Sequence, residues 1–257
     1  MNIFNALILG IVEGITEFLP ISSTAHLIIT SKFLHLSQTE FMKFFEVFIQ
    51  SGAILAVVFM YFQYVLKHRE LIKKILVSFV PTAIVGFLLH KIIKTIFFDS
   101  YYLIVGSLFI VGLLFLFIEY LINKRKIQIN KSIKDVSYVQ ALLIGLGQSL
   151  AVVPGVSRAG IVMITMMFQG FKRDEAAVYS FLLAVPTILG ASVLDLLKMD
   201  IGIINSSNNL LFLFIGFVTS FITAYISIKW LIGYLQKKSL VIFGLYRVLT
   251  SFILFMV

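Results

Sequence analysis

Long runs of apolar residues without a charge set the strongest limit on what this chain can fold into. Five charge-free runs occur, and a sixth is interrupted only by Arg247; they cover residues 47–66, 75–90, 100–118, 176–194, 201–228 and 239–257. A helix needs about 20 apolar residues to cross a bilayer. The sequence therefore predicts an all-α polytopic membrane protein with six transmembrane helices, at 44–66, 72–93, 100–122, 174–197, 209–230 and 239–257.

The composition excludes the soluble protein classes. Hydrophobic residues make up 60% of the 257 residues, and charged residues only 13%. Soluble domains carry about 45–50% apolar and about 25% charged residues. A soluble enzyme and a nucleic-acid-binding protein are thus excluded, and the expected surroundings are membrane lipids. The absence of cysteine excludes disulfides and thiolate sites. We expect one integral membrane domain over residues 1–257.

The positive charge predicts the orientation in the membrane. The net charge is +9, and basic residues concentrate in the loops 67–74 and 123–134. Placing these two loops in the cytoplasm puts 14 lysines and arginines inside and five outside. Cytoplasmic loops of membrane proteins carry such an excess.

Two further apolar regions are each broken near their middle. Residues 4–34 and 136–170 contain the breaks FLPISS, at 18–23, and VPGVSR, at 153–158. A proline interrupts a helix, and the hydroxyl residues after it can cap a new one. Each half is too short to cross a bilayer, so we expect two re-entrant helix–break–helix hairpins. Such breaks are tolerated only inside protein or beside a wet cavity.

The two broken regions resemble each other. Residues 10–24 match residues 145–159 at a constant offset of 135, which pairs Glu13 with Gln148 and Ser23 with Arg158, although the prolines slip by one position. The match predicts an inverted-topology repeat with halves at about 1–125 and 136–257. Such repeats place a shared site near the midplane, where broken helices meet. The alternative is a compositional likeness between two stretches rich in glycine, serine and proline.

The first half-helix carries two carboxylates. Glu13 and Glu17 are four residues apart and so share one helix face. Carboxylates in an apolar helix usually face a protein interior or a wet cavity. The pair can bind a divalent cation, or one member can hold a proton while the other stays ionised. The alternative is an interfacial helix with both acids in water.

The first break supplies hydroxyls and an imidazole. Ser22, Ser23 and Thr24 begin a helix whose N-terminus favours anions. His26 lies one turn further on, where its imidazole can reach either serine hydroxyl. This set suits catalysis at a phosphoryl group. The alternative is a plain helix cap with a buried histidine.

The second break adds a positive charge at membrane depth. Ser157 repeats the cap, and the guanidinium of Arg158 matches phosphate oxygens. Arg158 could instead pair with Glu13 or Glu17, or extend to the interface. Gln148 occupies the position of Glu13 in the repeat, so one side of the shared site is acidic and the other basic. Arg247 could bind substrate, or pair with an acid such as Glu46 or Glu119.

These residues resemble the signature motifs of a known family. The runs EGITEFLPISSTAH, at 13–26, and PGVSRAG, at 154–160, are similar to the two motifs of the bacterial undecaprenyl-diphosphatase family, known also for bacitracin resistance. The likeness continues through FLLAVP, at 181–186, and GLYR, at 244–247, and covers essentially the whole chain. Ala25 stands where the family commonly has glycine, a change too small to disturb the predicted site.

The resemblance implies an enzyme of the bacterial cell membrane. It would hydrolyse undecaprenyl diphosphate to undecaprenyl phosphate and inorganic phosphate, recycling the lipid carrier of peptidoglycan synthesis. Bacitracin would act on the same substrate, and Mg²⁺ or Ca²⁺ would be the cofactor. The charge-based topology, in which the first hairpin enters from outside and the second from the cytoplasm, favours a site that opens to the outer face. The resemblance implies that the functional residues are Glu13, Glu17, Ser23, His26 and Arg158. Our hypothesis for the roles is diphosphate binding by Ser22, Thr24, Gln148, Ser157 and Arg158, metal binding or proton transfer by Glu13 and Glu17, and attack on phosphorus by Ser23 or His26.

Two rival functions belong to other classes. A secondary transporter or flippase of a polyprenyl phosphate lipid would have the same kind of repeat. The other large class of lipid phosphatases has a histidine after its Ser-Arg pair, whereas no histidine follows Arg158 in this chain. A monomer and a homodimer both remain open.

Overall fold

The computed structural model describes residues 1–92, 100–198 and 207–256, and this part of the chain contains helices and no strands. The all-α prediction is therefore confirmed for these residues. The helices are α1 (Ile3–Thr16), α2 (Ser23–Phe33), α3 (Glu40–Lys67), α4 (Arg69–Ile92), α5 (Tyr101–Asn123), α6 (Tyr138–Ser149), α7 (Arg158–Phe168), α8 (Arg173–Lys198), α9 (Ser207–Leu235) and α10 (Val241–Met256).

Five of the described helices are long and apolar enough to cross a membrane. They are α3, α4, α5, α8 and α9, and each coincides with a predicted span to within a few residues. Residue 93, the predicted end of the second span, lies outside the described residues. The sixth predicted span, 239–257, contains α10, which has 16 residues. At about 1.5 Å per residue this helix is shorter than a bilayer core of about 30 Å.

Both predicted breaks interrupt helices. α1 ends at Thr16 and α2 begins at Ser23, while α6 ends at Ser149 and α7 begins at Arg158. These four helices have 14, 11, 12 and 11 residues. The helix–break–helix form predicted for residues 4–34 and 136–170 is thus confirmed, and all four pieces are too short to cross a bilayer alone.

The helix contacts follow the offset found in the sequence. α1 packs against α9, and its repeat partner α6 packs against α4. Likewise α3 contacts α9 and α8 contacts α4, while α5 pairs with α10 and α3 with α8. Most contacts made by one half therefore have a counterpart made by the other.

Two glycines related by the repeat allow close approaches between helices. A Cβ at Gly10 would lie 2.7 Å from the Gly216 carbonyl oxygen of α9, and one at Gly145 would lie 2.2 Å from the Ser78 carbonyl oxygen of α4. Both obstacles are backbone atoms, which cannot move aside without shifting a helix. Small residues allow such close packing between membrane helices.

We expect Gly145→Ala to destabilise the protein by about 2 kcal/mol, because its methyl group would overlap the backbone of α4. Gly233→Ala is the matched control, since nothing lies within 4 Å of a Cβ there and alanine favours a helix more than glycine does. Thermal unfolding in detergent measures both variants. Equal unfolding midpoints would contradict the proposed overlap.

Candidate active site

The serines that precede α2 and α7 share an unusual backbone conformation. Ser22 has φ 75° and Ser157 has φ 69°, a region that residues other than glycine rarely adopt. The Ser22 hydroxyl accepts a hydrogen bond from the Ala25 amide, and the Ser157 hydroxyl accepts one from the Gly160 amide. Both residues are therefore the helix caps that the sequence predicted. The repeat-related residues that follow them, Ser23 and Arg158, become the first residues of their helices.

A cavity of about 160 Å³ lies between the two breaks. Its polar lining combines residues from both hairpins with one glutamine of α3: Glu17, Ser22, Ser23, Thr24, Gln50, Ser157 and Arg158. The structure thus brings six of the predicted site residues together. Hydroxyls, amide groups and a guanidinium are the donors that bind phosphate oxygens.

The carboxylate of Glu17 joins the two hairpins. Ser23 Oγ donates a hydrogen bond of 2.5 Å to Glu17 Oε2, and Arg158 Nη2 forms an ion pair of 2.9 Å with Glu17 Oε1. Arg158 Nη1 also donates to the Ser180 carbonyl oxygen of α8, at 3.1 Å. Only 7% of the Glu17 side chain and 11% of the Arg158 side chain are exposed. A hydroxyl bonded to a buried carboxylate, beside a fixed guanidinium, can act as an activated nucleophile.

The neighbouring carboxylate, Glu13, is fully buried. Neither of its oxygens has a hydrogen-bond partner among the described residues. Burying a polar group without a partner is costly, so such an atom needs an explanation. Glu13 does not line the cavity itself.

Two further predicted site residues lie outside the cavity lining. His26 Nδ1 donates to the Ser22 carbonyl oxygen at 2.8 Å, and its Nε2 is 2.6 Å from the Tyr246 hydroxyl. Because a carbonyl only accepts, Nδ1 carries the proton there and a neutral imidazole accepts from Tyr246 at Nε2. Gln148 is fully buried, and its amide nitrogen donates to Thr82 and Thr187. Neither side chain therefore contacts the Glu17 centre.

Arg247 binds the backbone of both breaks. It is fully buried, and its guanidinium donates to the carbonyl oxygens of Pro20, at 3.2 Å, and of Gly155 and Val156, at 2.6 and 3.1 Å. This single side chain on α10 therefore connects the two hairpins beside the cavity, and it is absent from the cavity lining.

One of the two alternatives for Arg247, an ion pair with Glu46 or Glu119, is wrong. Glu119 forms two hydrogen bonds with Arg173, and Glu46 accepts hydrogen bonds from Ser31 and Gln38. The carbonyls of the two breaks compete successfully for the guanidinium because a broken helix leaves carbonyl groups without intrahelical partners.

Sequence reasoning missed Gln50 and Tyr246. Gln50 lines the cavity, and Tyr246 contacts His26. Gln50 lies in the charge-free run 47–66, which was treated as uniformly apolar. A polar amide within a membrane segment often marks a functional site, so Gln50 could have been identified from the sequence. Tyr246 lies beside Arg247 in a motif, but its contact with a residue 220 positions earlier depends on tertiary packing.

Comparisons with known proteins identify the family of the chain. The family described as Bacitracin resistance protein BacA matches residues 6–253. A protein named Undecaprenyl-diphosphatase from Persephonella marina is 46% identical over 253 residues, covering 98% of both chains. Proteins of the same name from Aquifex aeolicus and Sulfurihydrogenibium sp. are 44% and 46% identical, covering 98% and 100% of this chain and 97% and 99% of their own. With nearly its whole length matched, the chain belongs to the bacitracin resistance protein BacA family.

Proposed function

We propose that this protein hydrolyses undecaprenyl diphosphate to undecaprenyl phosphate and inorganic phosphate. The observation that carries the proposal is the Glu17 carboxylate, which binds the Ser23 hydroxyl and the Arg158 guanidinium in one buried cavity. The family membership and the names of the relatives support the same reaction. The product would return to peptidoglycan synthesis, and bacitracin resistance follows from acting on the lipid that bacitracin binds.

The chemistry assigns a role to each side chain at the cavity. Ser23 Oγ attacks the terminal phosphorus while Glu17 Oε2 accepts its proton, and undecaprenyl phosphate leaves. Water then hydrolyses the phosphoserine, releasing inorganic phosphate and restoring the Ser23 hydroxyl. Arg158 and the amides at the start of α2 bind the phosphoryl oxygens, whose developing charge they stabilise. Ser23 suits the attack better than His26, whose Nε2 is already bonded to Tyr246.

The carboxylates also fit a divalent cation. Glu13 offers two buried oxygens without partners, and Glu17 lies one turn away. Mg²⁺ is commonly bound by one or two carboxylates together with water and substrate phosphates. We therefore assign Glu13 and Glu17 to hold Mg²⁺ or Ca²⁺, which would neutralise charge on the diphosphate.

Glu13→Gln should raise the Mg²⁺ concentration needed for half-maximal phosphate release at least about tenfold, because an amide is a weaker ligand than a carboxylate. Titrating Mg²⁺ into chelator-treated enzyme measures this shift. Glu119→Gln is the matched control, because this buried glutamate binds Arg173 and does not line the cavity. An unchanged Mg²⁺ dependence in Glu13→Gln would remove Glu13 from the metal site.

Our proposed topology has six spanning segments, the last being residues 239–257 around the short helix α10, and two re-entrant hairpins in an inverted repeat. The matched packing of α1 on α9 and of α6 on α4, and the left-handed serines at both breaks, support it. The whole chain would then form one domain in the cell membrane. The first hairpin would insert from the outer face, and the cavity would open there.

Phosphate release by the purified protein in detergent tests the function directly. Catalysis needs no closed membrane, whereas transport or lipid flipping requires two compartments. We expect release of inorganic phosphate from undecaprenyl diphosphate, with undecaprenyl phosphate as the second product. Folded protein that releases no phosphate in detergent but translocates a polyprenyl phosphate in vesicles would be a flippase or transporter instead.

A further inference from the structure

A second and larger cavity lies among the basic loops, and its lining differs from that of the cavity around Glu17. It has a volume of about 480 Å³ and lies where α3 ends and α4 begins, against the loop that precedes α6. Four cationic side chains line it: Lys67, Arg69, Lys74 and Lys134. None of them lines the cavity around Glu17. This basic cavity is therefore a site that the proposed reaction does not use.

The cationic charge of the basic cavity is not balanced. Its one acidic lining residue, Glu70, is bonded to Lys73 at 2.6 Å and to the Tyr138 hydroxyl at 3.1 Å. Lys73 does not line the cavity, so it neutralises Glu70 from outside. Within the described part of the chain, the four cationic groups form no ion pair, and Lys74 donates only to the Lys134 carbonyl oxygen. An anion would be needed to compensate them.

Apart from Tyr64 and His68, the rest of the lining is apolar and leads toward lipid. Leu71 and Ile133 form a buried wall, while Leu66 is exposed at the rim. Leu66 continues an exposed apolar strip along α3 that also contains Leu55, Phe59 and Phe62. The spacing of these residues, at steps of three and four, keeps the strip on one helix face. A ligand with a charged head and a hydrocarbon chain can contact both surfaces at once.

We propose that the basic cavity binds the phosphate headgroup of an anionic phospholipid, with an acyl chain along the exposed strip of α3. Basic pockets between membrane helices at the cytoplasmic side bind such headgroups. The cavity lies among the loops whose lysines and arginines predict a cytoplasmic location. A free phosphate ion would use the same cationic groups but would gain nothing from Leu66 and Phe62.

Native mass spectrometry of the whole protein, stripped of lipid and titrated with phosphatidylglycerol or phosphatidylcholine, tests the proposal. We expect wild-type protein to bind phosphatidylglycerol at least about tenfold more tightly than phosphatidylcholine, because each nearby basic residue favours an anionic lipid. The triple variant Lys67→Gln, Arg69→Gln, Lys74→Gln should lose this preference. A triple variant with retained preference would overturn the proposal.

The matched control removes three charges from the neighbouring basic loop, as Lys124→Gln, Arg125→Gln, Lys126→Gln. These residues do not line the basic cavity, so the lipid preference should persist. An equal loss of lipid preference in the control variant would mean that basic loops attract anionic lipid in general and that the basic cavity is not a specific site. Displacement of phosphatidylglycerol by millimolar inorganic phosphate would identify a free-phosphate site and overturn the lipid assignment.

Phosphate release from undecaprenyl diphosphate is measured separately. It should stay within about twofold of the wild-type rate in both triple variants, because neither set of substitutions touches the Glu17 cavity.

Discussion

Ser23→Ala and Glu17→Gln should each lower kcat for phosphate release about 1000-fold, and the double variant should be no slower than the slower single variant. General-base catalysis contributes about 100-fold to 10,000-fold, and residues that act as a unit do not lose activity additively. Ser23 and Glu17 form such a unit, since the hydroxyl donates directly to the carboxylate at 2.5 Å. Steady-state kinetics of the four proteins in detergent measure the coupling.

Ser31→Ala supplies the matched control for this cycle. Ser31 is also a buried serine of α2 whose hydroxyl donates to a glutamate, Glu46, but it does not line the cavity. Its loss should change kcat less than about tenfold, as expected for one hydrogen bond remote from the reacting atoms. If kcat of the double variant falls by the product of the two single-variant losses, the Ser23 and Glu17 side chains act in separate steps.

Arg247→Lys should lower kcat about 100-fold and also reduce the thermal unfolding temperature. A lysine amine is a point donor, whereas the Arg247 guanidinium bonds Pro20 in one break and Gly155 and Val156 in the other. The substitution therefore leaves buried carbonyls unpaired in at least one break, at about 1–3 kcal/mol for each group. Because Ser23 and Arg158 follow these breaks, a small shift there separates them from Glu17.

The kinetic constants distinguish this positioning role from a general loss of stability. Below the unfolding temperature, Arg247→Lys should change kcat far more than KM, because substrate still meets Arg158 while the Ser23–Glu17 pair is displaced. Arg125→Lys makes the same substitution at an exposed residue and should leave kcat, KM and the unfolding temperature unchanged. Wild-type kcat in folded Arg247→Lys would show that the two breaks hold their places without the guanidinium.

Local sequence signals predicted the parts of the site that depend on local structure. The spacing of Glu13 and Glu17 placed both on one face, and both are buried. The hydroxyls after each proline predicted the caps at Ser22 and Ser157, because capping involves residues only three positions away. The repeat offset also related Ser23 to Arg158, and both converge on Glu17.

Contacts between distant segments could not be predicted from local sequence patterns. Substrate binding and pairing with a carboxylate were the two alternatives for Arg247, yet its guanidinium binds carbonyls that the broken helices leave free. Gln148 was expected at the phosphate site by its repeat position, but Thr82 and Thr187 from two other helices bind its amide nitrogen. The partners in each case come from a segment whose position no local pattern fixes.

Because Arg247 lies on α10, the last helix, the two breaks can gain their shared guanidinium partner only late in biosynthesis. Both breaks precede α10 in the chain, so the ribosome delivers them to the membrane before the side chain that binds their carbonyls has been made. Until α10 inserts, those carbonyls need water or other temporary partners, since an unsatisfied backbone group in the bilayer costs several kcal/mol. Nascent chains halted before α10 should therefore hold both hairpins wet and inactive, with membrane insertion of α10 as the step that creates the enzyme.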